Sequence, residues 1–367
     1  MALYILLIVS FLAGLISLGL KKNQKALEWM AIGVSVLKFL LAFKIVYSVV
    51  LNDVYALSSR WVIDSLSAWI LLILVIVNLI VAFYSVGYFR AEVAKGVIDV
   101  SRVRLYYALQ HFFMLAMFLA ISTTSPLLMW IAIEATSLLT AYMISFYNLR
   151  QSTEAAWKYL IINSVGLLLA FLGTLIFLAV GSGENGLVTW QNLASGLSSV
   201  NPVVLKIAFV FILIGFGTKV GWVPMHTWRP DAYAKAPTPV AALLSGILLN
   251  VAFFAVLKFK MLVDLLLGAG FSQGLLIFFG IISIILSALI IFVQYNYKRL
   301  LAYSSIEHAG VMALGFGFGG IGIYGAMLHM LYHSLAKAMM FLAAGNILLK
   351  YSSTKIRKVG GALHTLP

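Results

Sequence analysis

The sequence has no cysteine, few charged residues and very few acidic ones. Without cysteine the chain can form no disulfide, no thiolate metal site and no iron–sulfur cluster held by its own thiolates. Any electron transfer linked to this protein must therefore occur in another subunit. We expect no cofactor and no metal in this chain.

Charged residues make up only 10% of the chain, whereas 63% is hydrophobic and the mean hydropathy is +1.06. These values exclude an ordinary soluble domain and indicate a polytopic protein of the lipid bilayer. The formal charge of +14 could indicate nucleic-acid binding. No basic run, however, has the length or the interleaved aromatic residues of a nucleic-acid-binding face, so we predict no nucleic acid partner.

Eleven apolar stretches are long enough to cross a bilayer as helices. With no short-period repeat and no interdomain linker, they predict one all-α transmembrane bundle over residues 1–367. The first stretch has no preceding basic region and no small-residue cleavage site, so it is predicted to be a spanning helix. The predicted helices are residues 2–20, 27–51, 62–88, 104–121, 126–147, 156–180, 202–222, 237–257, 272–294, 300–318 and 321–349.

Basic connections between these helices alternate with neutral or acidic ones. By the positive-inside rule, the basic connections face the cytoplasm and the N-terminus is extracytoplasmic, in a bacterial or archaeal plasma membrane. Lys258 and Lys260 break the pattern. The connection 181–201 is the longest extracytoplasmic one and is predicted to hold a short helix around Trp190–Gly196. The basic residues assigned to cytoplasmic connections include Lys21, Lys22, Lys25, Arg90, Lys95, Arg102, Arg104, Arg150, Lys158, Arg229, Lys235, Lys298, Arg299, Lys350, Lys355, Arg357 and Lys358.

The stretch from Gly215 to Pro239 combines an apolar helix with a lysine and a break. Lys219 is followed directly by Gly221 and Pro224, which interrupt the helix. A lysine at membrane depth normally faces the bundle interior, a partner charge or water. Broken backbone at that depth must also be enclosed in protein or line a wet cavity. The combination predicts an ion pathway.

Glu134 is an acidic residue near the predicted bilayer centre, because it lies about eight residues, or roughly 12 Å, beyond Pro126 along a helix. Intramembrane ionisable residues are usually functional, and the alternative is a static, hydrogen-bonded carboxyl. Lys158 can serve the Glu134 cavity from the cytoplasmic side, or it can form only a surface pair with Glu154. We interpret Lys38 and Lys44 as side chains that snorkel to the membrane surface, with a contact to a neighbouring subunit as the alternative.

Three ionisable residues near the C-terminus follow a helical spacing. His329, His333 and Lys337 are separated by four residues each and so lie in one column, roughly 12 Å long, on a helix face. His308 reaches a comparable depth in the preceding predicted helix. Imidazole can accept and donate protons near neutral pH, which favours a proton relay. Metal binding is the rival interpretation, but histidines at this spacing without a paired carboxylate motif are weak evidence for it.

Five ordered motifs resemble one family over nearly the whole chain. They are DSLSAW, WIAIEATSLLTAYMISFYN, TKVGWVPMHTWRPDAYAKAPTPVAALLSGILLNVA, AYSSIEHAGVMALG and HMLYHSLAKAMMFLAAGNIL. They resemble the antiporter-like membrane subunits of respiratory complex I, which are related to multisubunit sodium/proton antiporters and to the membrane arms of energy-converting nickel–iron hydrogenases and formate hydrogenlyases. The stretches EATSLLTAYMISFY and EAAWKYLIINSVG look most like the hydrogenase type.

The resemblance implies about fourteen helices containing two inverted five-helix repeats, each with a broken helix. It implies N-terminal helices in 1–103, a first repeat in 104–258 and an incomplete second repeat in 259–367. The second broken helix would lie beyond Pro367, so we expect a fragment, a shortened gene product or a partner that supplies the rest. By the same resemblance, the residues implied in translocation are Glu134, Lys219, His308, His329, His333 and Lys337, with Asn250 where many relatives have a lysine or histidine.

Three functions remain open from the sequence. The first is a proton- or sodium-translocating subunit of a redox-driven complex, whose partners are other membrane subunits and, indirectly, a peripheral redox arm. The second is a subunit of a multisubunit sodium/proton antiporter without a redox partner. The third is a membrane scaffold that does not pump.

Overall fold

The computed structural model describes residues 1–20, 23–181, 189–196 and 200–361. Most of this part of the chain is helical. Lys21, Lys22, most of the 182–199 connection and residues 362–367 lie outside the described residues. The described elements are α1 (Ala2–Gly19), α2 (Gln24–Asn52), β1 (Tyr55–Ser58), β2 (Trp61–Ile63), α3 (Ser65–Ala94), α4 (Val100–Ser122), α5 (Pro126–Ile144), α6 (Arg150–Gly181), α7 (Trp190–Gly196), α8 (Pro202–Val220), α9 (Trp228–Lys235), α10 (Thr238–Leu243), a π-helical turn (Leu244–Leu248), α11 (Leu249–Leu267), α12 (Gly270–Ile291), α13 (Tyr297–Phe318), α14 (Ile321–Tyr351) and a 3₁₀ turn (Ile356–Lys358).

Nine helices in the described ranges are long and apolar enough to cross a membrane, with α10, the π-helical turn and α11 counted as one. Two further helices, α13 and α14, have 22 and 31 residues and carry the predicted histidines. Together they give eleven long helices. The predicted all-α polytopic fold is therefore confirmed, and so is the short helix Trp190–Gly196.

Polar residues fix where several of the long helices begin. Asp64 accepts a hydrogen bond from the backbone amide of Ser67 at 2.8 Å, and Asp99 accepts one from that of Arg102 at 3.0 Å. Asn201 caps α8 in the same way and is followed by proline, whose missing amide costs nothing in a first turn. These caps satisfy helix-end amides that have no partner within the helix.

The prediction of a helix starting at residue 62 was wrong. Residues Tyr55–Ser58 and Trp61–Ile63 form a two-stranded antiparallel hairpin, and α3 begins only after Asp64. The apolar character of the second strand, with Trp61 and two β-branched residues, made it continuous with the helix in the sequence. Lys258 lies at this end of the bundle, where it forms an ion pair with Asp64.

Close glycine contacts join α6 to α8. A Cβ atom on Gly215 would lie 2.4 Å from the backbone nitrogen of Ala170, and one on Gly166 would lie 2.6 Å from Cβ of Thr218. Small residues of this kind let two membrane helices approach closely. The contact therefore holds the end of α8, which carries Lys219, against α6.

The helix from Thr238 to Leu267 lies at the centre of the bundle. Every residue in its most apolar 18-residue stretch is buried, a higher share than in the other candidate spans. A π-helical turn interrupts it at Leu244–Leu248. Such turns are rare and often mark functional sites, and this one ends two residues before Asn250.

Candidate functional site

The break predicted after Lys219 is present. Helix α8 ends at Val220 because Gly221 adopts a φ of 83°, a conformation that glycine accepts without strain. The chain resumes a helix only at Trp228. Protein groups satisfy the freed backbone: the indole of Trp228 donates to the carbonyl of Thr218 at 2.9 Å, and Ser283 accepts from the amide of Val223 at 3.0 Å. The irregular backbone is thus enclosed, as the membrane requires.

Lys219 is fully buried beside the break, with no exposed surface. Its Nζ donates hydrogen bonds to Oγ of Ser137 on α5 and to the hydroxyl of Tyr159 on α6, both at 2.7 Å. The same nitrogen lies 5.1 Å from the centre of the Tyr159 ring, close enough for a cation–π interaction. Two hydroxyls and an aromatic face therefore surround the ammonium group.

Ser137 also connects Lys219 to Glu134. Its hydroxyl donates to Oε2 of Glu134 at 3.2 Å, while Ser164 of α6 donates to Oε1 at 3.3 Å. Within the described residues, no direct ion pair joins Lys219 to a carboxylate. The structure thus brings the two predicted residues together, with one serine hydroxyl between them.

Lys158 lies apart from this contact. It forms an ion pair with Glu154 at 2.7 Å and a second with Asp231 of α9 at 3.5 Å, and its side chain is 49% exposed. Its neighbour in sequence, Tyr159, is the residue that reaches Lys219. Lys158 therefore occupies the surface end of α6, above the buried group.

The predicted histidine column exists between α13 and α14. Nδ1 of His308 and Nε2 of His329 are 2.9 Å apart, so one ring donates a hydrogen bond to the other. The ring centre of His333 lies 5.3 Å from that of His308. Lys337, one turn further along, donates from Nζ to Oγ of Ser304 at 2.6 Å. The four ionisable side chains thus lie in one row between α13 and α14, in which His308 and His329 share a hydrogen bond while neither ring nitrogen of His333 has a protein partner in the described part of the bundle.

Asn250 links the central helix to this row. Its Nδ2 donates to Oγ of Ser334 on α14 at 2.7 Å and to the carbonyl of Gly246 in the π-helical turn at 3.0 Å. Ser245 of the same turn is 2.9 Å from Ser305, which follows the Ser304 that binds Lys337. The π-helical turn thus directs two polar side chains toward α13 and α14.

Arg229 lies in the connection between α8 and α10, to which the charge pattern assigned it, but it is not a surface charge. It is fully buried, and its Cζ lies 5.5 Å and 5.6 Å from the ring centres of Trp228 and Tyr233. Its Nη2 donates to the carbonyl of Val220, the last residue of α8. An arginine flanked by aromatic residues in WRPDAY was the signal that could have identified it, because guanidinium groups stack on aromatic faces.

Two further lysines are buried, although the sequence patterns gave no sign of it. Lys298 was assigned to a cytoplasmic connection, but it is buried and donates to the carbonyl of Ala236 at 2.7 Å. Lys38 was interpreted as snorkelling, yet it is fully buried and contacts His111. Burial in each case follows from helix packing, which charge alternation along the chain does not encode. Lys44 is exposed on α2, as predicted.

The fold and the site define a polytopic helical membrane protein with buried ionisable side chains beside a broken helix. Residues 123–367 match the family model described as "NADH:quinone oxidoreductase/Mrp antiporter, TM". The chain belongs to this family, which confirms the resemblance found in the motifs.

Individual relatives agree with this assignment. The chain is 37% identical over 315 residues to the hydrogenase-4 component F homolog of Methylacidiphilum infernorum, covering 84% of this chain and 66% of that protein. It is 31% identical over 371 residues to NAD(P)H-quinone oxidoreductase chain 4 2 of Thermosynechococcus vestitus, covering 94% and 65%. The chain thus spans slightly less than two thirds of either protein.

A solved structure has the same fold. A chain of the membrane-bound sulfane sulfur reductase, an archaeal respiratory membrane complex, superposes with a TM-score of 0.84 at 21% identity. The superposition covers 97% of this chain and 73% of the other. The structural neighbour is therefore a subunit of a multisubunit membrane complex.

Proposed function

We propose that this protein is an ion-translocating membrane subunit of a redox-driven complex of the hydrogenase or quinone-reductase type. The observation that carries the proposal is the fully buried Lys219, bridged to Glu134 by Ser137 beside a helix break. Such a group changes its interactions when it gains or loses a proton. Family membership and the similarity to hydrogenase-4 and NAD(P)H-quinone oxidoreductase subunits support the redox connection.

In the proposed mechanism, the Ser137 hydroxyl relays a proton between Lys219 and Glu134. The hydroxyl accepts a hydrogen bond from Lys219 and donates one to Glu134. A single rotation about its C–O bond would point the hydrogen at Lys219 instead, so that the oxygen could accept from a protonated Glu134. From Lys219 the charge passes toward Asn250 and the row formed by His308, His329, His333 and Lys337. Within the row the proton passes between His308 and His329 along their hydrogen bond. Transfer to His333 requires its ring to reorient, because neither of its nitrogens has a protein partner among the described residues.

The remaining assignments belong to the same proposal. The complex lies in a bacterial or archaeal plasma membrane, with the N-terminus extracytoplasmic and lipid around the apolar faces. The chain contacts other membrane subunits, and redox energy reaches it from a peripheral arm as a change of charge or conformation. The transported ion is a proton in this mechanism, and sodium is the alternative.

The test compares two lysines of α8 in the assembled complex, reconstituted in vesicles. Lys219→Met removes the buried ammonium, whereas Lys206→Met removes an exposed one on the same helix. We expect Lys219→Met and Glu134→Gln to abolish ion translocation, and Lys206→Met to leave it near the wild-type rate. Wild-type translocation in Lys219→Met would overturn the proposal.

A second candidate is a sodium/proton antiporter without a redox partner, because the matched family includes Mrp antiporters. Affinity purification of the native complex distinguishes the two. Co-purification with hydrogenase or quinone-reductase subunits supports the redox-driven complex. A complex that contains only antiporter-type membrane subunits, and exchanges sodium for protons in vesicles, supports the second candidate.

A further inference from the structure

A second group of buried polar side chains lies among the first four helices, away from the helix break. Nζ of Lys38 on α2 is 3.1 Å from Nδ1 of His111 on α4. Gln110 donates to Oδ1 of Asn78 on α3 at 3.1 Å, and Asn78 donates to Oγ of Ser35 at 3.2 Å. All five side chains are at most 1% exposed. The proposed translocation path uses none of them.

Lys38 has no acidic partner in the described part of the chain. The ion pairs found there do not include it, and Lys38 is the one charged group that acts on His111. Helix α1, which packs against both α2 and α4, carries no charged side chain. Glu28 lies ten residues before Lys38 on α2, roughly 15 Å away along the helix, and binds Arg90.

The other charged or titratable groups on the packed helices are held elsewhere. On α4, Tyr106 bonds to Ser85 and Tyr107 lies toward Arg90 and Glu28. Glu134 on α5 binds two serines. The remaining charged side chains on these helices, which lie toward helix ends or on exposed faces, are Lys25, Lys44, Glu92, Arg102, Arg104, Lys258, Lys260 and Asp264.

This arrangement has a chemical consequence for the Lys38–His111 contact. Either the ammonium donates to a neutral imidazole, or the imidazole N–H donates to a neutral amine. Two positive charges at 3.1 Å would repel each other strongly in a buried site, and a positive charge without a carboxylate is costly there. The contact therefore suits one exchangeable proton. Nε2 of His111 and Oε1 of Gln110 are also buried and have no hydrogen-bond partner in the described part of the protein. Each atom can therefore make a further hydrogen bond at this site.

We propose that Lys38 and His111 form a second proton-binding site, supported by Ser35, Asn78 and Gln110 and separate from the Lys219 contact. It lies one helix away from the central polar row. Val77, the neighbour of Asn78, packs 3.1 Å from the position that a Cβ of Gly246 would occupy. A proton bound at Lys38 therefore places a positive charge on one side of α3, with Asn250 on the other side. This holds whether the protein transports protons or sodium.

The test is a difference titration of proton binding by the full-length chain in detergent. Lys38→Met removes the amine, and Lys38→Arg keeps a charge that cannot be released. Lys44→Met is the matched control, because Lys44 lies on the same helix but is exposed. Between about pH 5 and 9, we expect the wild type to release about one proton per chain more than either Lys38 variant, and the same amount as Lys44→Met.

Circular dichroism checks that each variant is folded, and His111→Gln provides an independent measurement. The glutamine gives Lys38 an uncharged hydrogen-bond acceptor. We therefore expect Lys38 still to bind one exchangeable proton, but to release it at a different midpoint pH from the wild type. Identical curves for the wild type and a folded Lys38 variant would overturn the proposal, as would an unchanged midpoint in His111→Gln. The experiment measures binding alone, so its outcome is independent of whether the protein pumps ions.

Discussion

Ser137→Ala tests the contact at the centre of the proposed mechanism with the smallest available change. The substitution removes one of the two hydroxyls that bind Lys219 and the only group that connects Lys219 to Glu134 within the described residues. A hydrogen bond to a charged group contributes about 1.5 to 3 kcal/mol. If that energy is lost from the rate-limiting proton transfer, translocation slows by about 13- to 160-fold.

The assay is ion translocation by the reconstituted complex, measured beside its redox turnover. Ser122→Ala is the matched control, because it removes another fully buried serine hydroxyl, one that donates only to the carbonyl of Phe118 in its own helix at 2.6 Å. Ser122→Ala should lose about 1 kcal/mol of stability, the net value of an ordinary hydrogen bond, and Ser137→Ala about 1.5 to 3 kcal/mol, because the Ser137 hydroxyl binds charged groups. Equal translocation rates in the two variants would refute the role of Ser137 as a bridge.

Three further predictions concern the elements that hold the site. Gly221→Ala should destabilise the fold by at least about 1 kcal/mol in thermal unfolding, because φ is 83° and the new Cβ would lie 2.8 Å from Cζ of Arg229. The control is Gly274→Ala, where nothing lies within 4 Å of the new Cβ. This variant should be neutral or stabilising in the same assay. Gly215→Ala should separate α6 from α8 and impair translocation, whereas Gly33→Ala, with no neighbour within 4 Å, should not; equal effects would contradict the packing argument. Burial alone would raise the pKa of Asp64, but the charge of Lys258 and the hydrogen bonds from Lys258 and Ser67 lower it by more. The net result is a pKa below the ordinary value of an aspartate. Asp64→Asn keeps a cap but loses the ion pair, which should cost about 0.5 to 1 kcal/mol because Asp64 is 34% exposed and solvent screens it. That difference should be present above about pH 4, the ordinary pKa of an aspartate, and shrink as the pH falls through the lowered pKa. A difference that does not change with pH would contradict the assignment.

Local signals in the sequence were sufficient for the long helices and for the break after Lys219. The apolar stretches predicted eleven long helices because a membrane helix needs a continuous hydrophobic surface of fixed length. Gly221 and Pro224 predicted the interruption after Lys219, and the four-residue spacing of His329, His333 and Lys337 predicted their shared face. Each of these inferences depends on neighbours within one helix.

The partners of these residues depend on contacts between helices and could not be predicted in the same way. Ser137, Tyr159 and Ser304 are ordinary polar residues in apolar helices, and nothing in their spacing shows that they bind lysines. Lys38 lies in an apolar helix, as Lys44 does, yet only one of the two is buried. The choice between them is made by the position of α4, which brings His111 to one face of α2.

The break after Val220 has an electrostatic role that the sequence pattern alone did not show. Because α8 ends there, Lys219 lies in its last turn and Arg229 reaches the carbonyl of its final residue. The C-terminal end of a helix carries a partial negative charge that stabilises nearby cations. Neither cation forms an ion pair with a carboxylate in the described part of the chain, so the helix end supplies compensation that an uninterrupted helix could not. The glycine that ends α8 thus allows two positive charges to remain buried near the same helix end, and substituting it should disturb both.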